Sequence, residues 1–368
     1  MPGVPERIGR YTVASTLGSG GMGEVFLAFS PAGDPVAVKL IRADRLDPLT
    51  RERFEREARA ARKVVGTGRV ARFLDADPYA DRPWMAMDYV PGRTLLEEID
   101  ARGPLPAVQV ASLGALLSEG LAAVHAADLL HRDMKPQNVI MGDYGPVIID
   151  FGLAAFTDAT HESLSHSGMI VGTVRCMPPE QAAGHPHVTA AADVYALGTV
   201  LLYAAAGHFP YDGTRWESIV AQVASPEHAP DLSGVPEALL PLLTAVFAHE
   251  PQDRPTLEQV ADACAAVMSA AGVTAAAARQ TLIARTAGGG PGAARLTPEV
   301  EDRLRNLAVP APGTDAVLAE PPAVEEIPET PAPEPEPPAP AAPARPRVPA
   351  SRRVADELRK AYASRPAL

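Results

Sequence analysis

Cysteine is almost absent: Cys176 and Cys264 are the only two in 368 residues, far apart and without metal-ligand spacing. That excludes a disulfide scaffold and points to a reducing compartment. Lysine is nearly as scarce, with Lys39, Lys63, Lys135 and Lys360 set against twenty-nine arginines. A lysine retained against such a bias suggests a chemical need for that side chain. Positive charge is in deficit, the net charge being −12, so nucleic acid is not expected as the main partner. Met1 to Pro5 contains no apolar core of a signal peptide. No run is expected to span a bilayer: the apolar stretch 190–206 is short and carries Asp193, and the Ala-rich stretch 261–278 carries Asp262 and little Leu or Ile. These absences predict a cytoplasmic protein without a transmembrane segment.

The length leaves room for one domain of about 260 residues and a tail. Residues 310–349 hold fourteen of the thirty-nine prolines and seven acids against two arginines. Such a Pro/Ala/Glu-rich segment cannot bury enough to fold and is expected to be disordered. In residues 351–368 the pattern changes to a short basic amphipathic helix, with Val354, Leu358, Ala361 and Tyr362 on one face and Arg352, Arg353, Arg359 and Lys360 as its cations. Residues 269–309 are Ala/Gly-rich and are expected to be a partly helical linker.

What is present is concentrated in His131-Arg132-Asp133-Met134-Lys135-Pro136-Gln137-Asn138 and, beyond a short hairpin, Asp150-Phe151-Gly152. The hairpin is expected over 139–141 and 147–149, around the turn Gly142-Asp143-Tyr144-Gly145. This set suits phosphoryl transfer. That reaction needs a carboxylate to orient a hydroxyl, a cation to offset charge on the phosphoryl group, and oxygen ligands that hold Mg²⁺ against phosphates. Asp133, Lys135 and the pair Asn138 with Asp150 fill those roles in order. Each residue alone would read as a turn former or a solvated charge.

With these residues the chain resembles the protein kinase superfamily, and within it the actinobacterial-like serine/threonine kinases of eukaryotic type. The resemblance covers residues 8–268 and implies an α+β, two-lobed protein kinase fold. An N-lobe of antiparallel sheet plus one helix would occupy 8–87, and a mainly helical C-lobe 91–268. Leu17-Gly18-Ser19-Gly20-Gly21-Met22-Gly23-Glu24-Val25 lies between two alternating segments that read as a hairpin. In the resemblance it covers the ATP phosphates, the glycines letting backbone approach the oxygens. Lys39 interrupts the apolar strand 36–41, and a charge there costs several kcal/mol by order of magnitude unless paired. The family places it on phosphates and on a helix glutamate. Helical phase selects Glu57 over Glu52 and Glu55, because Phe54, Ala58, Ala61 and Val65 form the apolar stripe and Glu57 sits at its edge. The strand 84–87 would run into a hinge, with adenine held by backbone at Asp88, Tyr89 and Val90. Met87 would line the back of the pocket, and Leu17, Val25 and Ala37 would cover the base.

In the C-lobe, Val110, Leu113, Leu117, Leu121 and Val124 predict a helix over 107–127 that leads into the catalytic loop, where His131 is architectural. Thr189 is expected to cap a buried helix reaching Ala206, whose Asp193 would bond the catalytic-loop backbone. Helices are expected over 216–223, 236–248 and 257–268. Lys135 and Thr173 imply serine/threonine substrates, and Glu180 is expected to pair with Arg254. Arg132 would receive a phosphorylated residue of the activation segment, from Thr157, Thr160, Ser163, Ser165 and Ser167. The implied cofactors are ATP and Mg²⁺, with Mn²⁺ as an alternate cation. Implied partners are Ser/Thr-bearing protein substrates, a tail-docked protein and a transient dimer for trans-autophosphorylation. Two rivals remain at this point: a nucleotide-binding pseudokinase with a scaffolding tail, and a small-molecule kinase.

Overall fold

The structure is a computed structural model that describes residues 4–20, 23–41, 48–64, 68–150, 174–185 and 188–286. The expectations for Gly21, Met22, Val65, the activation segment through Thr173, and everything beyond Thr286 lie outside the described residues. The chain divides into two compact units, Met1–Ala311 and Pro312–Leu368, and the second lies wholly outside them.

The first unit begins with β1 (Arg7–Ile8), β2 (Tyr11–Gly20), β3 (Gly23–Phe29), β4 (Pro35–Ile41), α1 (Pro48–Ala61), β5 (Phe73–Asp77) and β6 (Trp84–Asp88). The six strands form one antiparallel sheet in the order β1-β2-β3-β4-β6-β5. Period-2 alternation sorts its side chains. Phe26, Ala28, Val36, Val38, Leu40 and Ala86 fill one face and are at most 4% exposed. The other face presents Val25, Ala37, Lys39, Met85 and Met87, with Lys39 opposite both Val25 and Met85 and Ala37 opposite Met87. The α1 side chain Phe54 packs on this second face with Ile41, Met85 and Met87. Its neighbours Ala58 and Ala61 are also buried, as the apolar stripe requires, and Glu57 is half-buried at the stripe's edge.

The chain continues through β7 (Arg93–Thr94), α2 (Leu95–Arg102), α3 (Ala107–His125), a 3₁₀ turn at Pro136–Asn138, β8 (Val139–Gly142) and β9 (Gly145–Ile148). Thr94 and Glu97 close a capping box at the start of α2. Next come α4 (Pro179–Ala182), α5 (Ala190–Ala206), α6 (Trp216–Ala224), α7 (Leu240–Val246), α8 (Leu257–Ala270) and α9 (Ala275–Thr286). Val110, Leu113, Leu117, Leu121 and Val124 of α3 are at most 1% exposed, each burial contributing about 1.5–3 kcal/mol. α3 packs against α5 and α8 in a single core.

Four sequence expectations need correction. α3 is long and apolar enough to cross a membrane by composition, contrary to the expectation that no run is. It is the central helix of the lobe, and that role accounts for its hydrophobicity. Thr189 stands at the N-cap of α5 but makes no side-chain hydrogen bond there. The helix expected over 236–248 is split into a 3₁₀ turn, Glu237–Leu239, and α7, because Pro241 cannot donate within a helix interior and is accommodated only in a first turn. Finally, 269–309 is not simply a linker: α9 buries Ala278, Leu282 and Thr286 against the lobe.

Candidate active site

The loop that carries Asp133 is held from beneath by Asp193, which lies in the first turn of α5 and is 1% exposed. Its Oδ2 accepts from the His131 amide at 2.8 Å and its Oδ1 from the Arg132 amide at 2.8 Å. His125, at the end of α3, contacts the same carboxylate through Nε2 at 2.7 Å. Burial opposes ionisation of Asp193, but the bond from His125, the nearby His131 and the two amides outweigh it, leaving the carboxyl below its ordinary value. These bonds fix Arg132 at φ +62°, a left-handed conformation that costs an arginine of order 1–3 kcal/mol. His131 is fully buried, with Nε2 at 3.1 Å from the Ile149 carbonyl and Nδ1 accepting from the Asp133 amide at 3.3 Å. Burial pushes its pKa down, so it is a neutral strut.

Above this floor the candidate residues converge. Lys135 Nζ donates to both Asp133 carboxylate oxygens, at 2.9 and 2.8 Å. Asn138 Nδ2 donates to the Asp133 carbonyl at 2.7 Å and to its Oδ2 at 3.1 Å. Across the β8–β9 hairpin, Asp150 stands at φ +60° and takes Lys39 Nζ on Oδ2 at 2.9 Å. Burial works against ionisation of Asp150, but the Lys39 ammonium outweighs it and holds the carboxyl below its usual range.

Lys39 therefore has an anion as its position demanded, though a different one and only partly buried. Among the described residues, the ion pair it forms is with Asp150. Sequence phase could place Glu57 on the inner face of α1, but could not rank it against a carboxylate 111 residues away. At the hinge, Met87 is buried, while Asp88, Tyr89 and Val90 are partly exposed. The Asp88 amide bonds the Arg72 carbonyl at 2.9 Å, and its carboxylate takes Arg72 Nε at 2.7 Å. Val25 and Ala37 are half-buried on the same sheet face as Met87, and Leu17 is exposed.

On the strands that flank the glycine-rich loop, Ser19 pairs with Glu24 and Gly20 with Gly23. A Cβ on Gly18 would meet no heavy atom within 4 Å, whereas one on Gly23, at φ +148°, would sit 1.8 Å from the Leu40 carbonyl oxygen. Gly23 is therefore demanded by packing on β4, a reason separate from access to phosphate. The pair anticipated at the end of the docking segment is present, with Arg254 Nη2 at 2.7 Å from Glu180 Oε2 and Nη1 at 2.9 Å from Oε1. Cys176 is buried, and burial pushes its thiol up, so it is a packing residue. Sequence reasoning missed His125 and Arg72. The only signal for either was a titratable or charged residue at an element boundary.

No cluster of three His, Cys, Asp or Glu side chains that could cage a metal occurs among the described residues. Two oxygen donors fit instead. Asn138 Nδ2 is committed to Asp133, which leaves its Oδ1 as the atom for a cation, and Lys39 occupies only Oδ2 of Asp150. A pair of this kind suits an ion carried mainly by phosphates and water.

An acid, a lysine and an amide on one loop, faced across a hairpin by a lysine-bound carboxylate, bring together the residue types that the sequence singled out. The chain belongs to the protein kinase family: the protein kinase domain matches residues 11–264. Over 261 residues it is 44% identical to a probable serine/threonine-protein kinase, PkwA, of Thermomonospora curvata, covering 71% of this chain and 34% of that protein. It is 43% identical over 252 residues to the serine/threonine-protein kinase AfsK of Streptomyces coelicolor, covering 68% and 31%. The crystal structure of the Mycobacterium tuberculosis PknI kinase domain superposes with a TM-score of 0.56 at 29% identity, covering 72% of this chain and 96% of that one. The chain thus spans about a third of the length of the curated relatives it matches.

Proposed function

We propose that this chain transfers the γ-phosphoryl group of ATP to serine or threonine hydroxyls of proteins and acts as a bacterial signalling kinase in the cytosol. The observation that carries the reading is the convergence of Lys135 and Asn138 on Asp133. That carboxylate is held by a cation and an amide, so it can accept a hydrogen bond from an incoming hydroxyl in a fixed direction. Lys135 remains beside the oxygen that would attack and offsets charge on the transferred group. Lys39, on the sheet face beneath the glycine turn, would reach the α- and β-phosphates while remaining near Asp150. Asn138 Oδ1 and Asp150 would hold Mg²⁺, or Mn²⁺, which would supply positive charge against the phosphates. Adenine would lie between Val25 and Ala37 above and the backbone of Asp88 to Val90 behind.

The relatives' names support serine/threonine specificity, as do Lys135 and the sequence position of Thr173. Arg132, beside Asp133, is the site to which a phosphorylated Ser165 or Ser167 would be drawn. We infer autophosphorylation there, in trans through a transient dimer, and docking of a protein partner by residues 351–368.

The test is incubation of the full chain with Mg²⁺, labelled ATP and a generic protein substrate, beside Asp133→Asn and Lys39→Met variants, followed by mapping of labelled residues. Label on serine or threonine in the parent alone is the expected result. Mg²⁺-dependent ATP binding without protein labelling would overturn it in favour of a scaffold, and turnover confined to small alcohols or amines would favour a small-molecule kinase.

A further inference from the structure

Strand β9 is four residues long and ends two residues before Asp150, and its partner β8 begins one residue after Asn138. The tilt of this hairpin therefore sets where the two oxygen donors stand relative to each other. Both ends of β9 are gripped by one residue from outside the hairpin. The Arg69 carbonyl accepts from the Ile148 amide at 2.7 Å. The Arg69 side chain reaches past the other end, donating from Nη1 to the Tyr144 carbonyl in the turn at 3.0 Å. Arg69 is 6% exposed. It also lies against α3, where a Cβ on Gly120 would come within 2.9 Å of Ile148 Cδ1 and 3.1 Å of Arg69 Cβ.

A second guanidinium closes on the same turn from α9, beyond the residues that match the kinase family. Arg279 Nη2 donates to the Tyr144 carbonyl at 2.8 Å. Two turns of α9 bring Ala278 and Leu282 into the core, both 0% exposed. Farther on, Arg285 Nη2 donates to the Gly103 carbonyl at 2.7 Å, tying the helix to the end of α2. Two cations converging on one neutral carbonyl repel each other, and Glu119, 3.6 Å from Arg69 Nε, offsets part of that charge. The arrangement persists because α9 is packed in place by its apolar face.

We propose that Arg69 and Arg279 form a clip that positions the Asn138–Asp150 pair for its cation, so that α9 is a working part of the kinase unit. The proposal rests on the reading of those two residues as metal ligands. Arg69 and Arg279 are positioning residues: they act through the hairpin and stand away from the reacting atoms.

The experiment compares the full-length parent with Arg279→Ala, Arg279→Lys and Arg69→Lys. Two quantities are read: equilibrium binding of Mn²⁺·ATP, and amide hydrogen exchange at Ile148 and Ile149 against Leu117 and Leu121 in the core of α3. In Arg279→Ala, exchange at Ile148 and Ile149 is expected to accelerate with the α3 amides unchanged. The dissociation constant for Mn²⁺·ATP should rise roughly tenfold, the low end of what losing an outer support of a metal ligand costs. Lysine at 279 can still reach the carbonyl with one donor and should restore much of both. Unaltered exchange at Ile148, or equal acceleration in α3 as in the hairpin, would overturn the clip. Local acceleration with unchanged Mn²⁺·ATP binding would overturn its role at the metal pair. Failure of the parent to bind Mn²⁺·ATP would instead remove the kinase reading and the metal role with it, while the exchange data still decide whether the clip exists.

Discussion

Removing the carboxylate of Glu180 should destabilise the protein more than any other single change at its surface-remote ion pairs. Arg254 has a side chain that is 0% exposed, and Glu180 has one that is 6% exposed. A guanidinium has five N–H donors, and here all are taken. Nη1 and Nη2 take Glu180, Nε takes the Ala248 carbonyl at 2.8 Å, Nη1 takes Ala191 at 3.0 Å, and Nη2 takes His249 at 2.9 Å. The Tyr195 ring lies over the guanidinium with its centroid at 5.0 Å. Glu180→Ala would leave a buried cation with neutral carbonyls only. Loss of one partner from such a pair costs about 3–5 kcal/mol. At roughly 2–4 °C per kcal/mol for a domain of this size, the melting temperature should fall by about 6–20 °C, and activity should fall with it because Glu180 ends the docking segment. Urea denaturation followed by circular dichroism measures the stability, and Glu180→Leu combined with Arg254→Met should regain part of the loss. A Glu180→Ala protein as stable as the parent yet inactive would refute the argument that the pair acts through folding.

Acidification and helix packing give two further tests. His131 is held below its ordinary pKa of 6.5 by burial, so between that value and its folded one the unfolded chain binds a proton the folded chain refuses. Its contribution to stability is therefore complete above pH 6.5 and declines below it. Asp193, held below its ordinary 3.8, adds a further loss at lower pH as its folded value is passed. Although burial lowers His208, the carbonyls of Ser233 and Phe209 raise it overall, which acts in the opposite sense. The decisive quantity is therefore the difference between parent and variant. His131→Phe should shrink the fall in urea midpoint between pH 7 and pH 5, and an unchanged fall would count against a buried neutral His131. Gly198→Ala in α5 would place a Cβ 2.6 Å from Val246 Cγ2, and Val246 is 0% exposed. Overpacking of about 1–3 kcal/mol should exceed the gain of roughly 1 kcal/mol in helix propensity. A thermal melt should show net destabilisation, relieved when Val246→Ala is added; stabilisation by Gly198→Ala alone would show that the helices separate freely.

The parts of this architecture that were legible in the sequence are those specified locally. Apolar spacing located α3, an almost wholly apolar run located α5, alternation located the β2–β3 hairpin, and loop residues of distinctive chemistry singled out Asp133, Lys135, Asn138 and Asp150; the rest of the sheet was expected only from the resemblance. What escaped depends on partners remote in the chain. Lys39 needed an anion, but which one is decided by how the sheet sits over the hairpin. Arg69 looked like one arginine among twenty-nine, because its partner Tyr144 is 75 residues on. α9 carries a short, Ala-rich apolar face, and such a pattern gains meaning only when a groove beside α3 receives it. Thr189 shows the converse: a good capping residue at the right position whose side chain makes no capping hydrogen bond.

Charge balance in the site leads to a last prediction. Lys39 is paired with Asp150 and Lys135 with Asp133, so the two cations that would meet a triphosphate are already neutralised by the two carboxylates. On the proposed reading, the protein alone offers a polyanion little net attraction, and a divalent cation supplies what is missing. Chelation of Mg²⁺ should then weaken ATP binding sharply. Asp150→Asn separates this account from a merely structural role for the aspartate, because it frees Lys39 while removing a cation ligand. The variant should bind cation-free ATP more tightly than the parent and gain little from added Mg²⁺, as read by calorimetric titration with and without chelator. If Asp150→Asn weakens ATP binding equally in both conditions, the carboxylate is holding the fold of the site, and the electrostatic account is wrong.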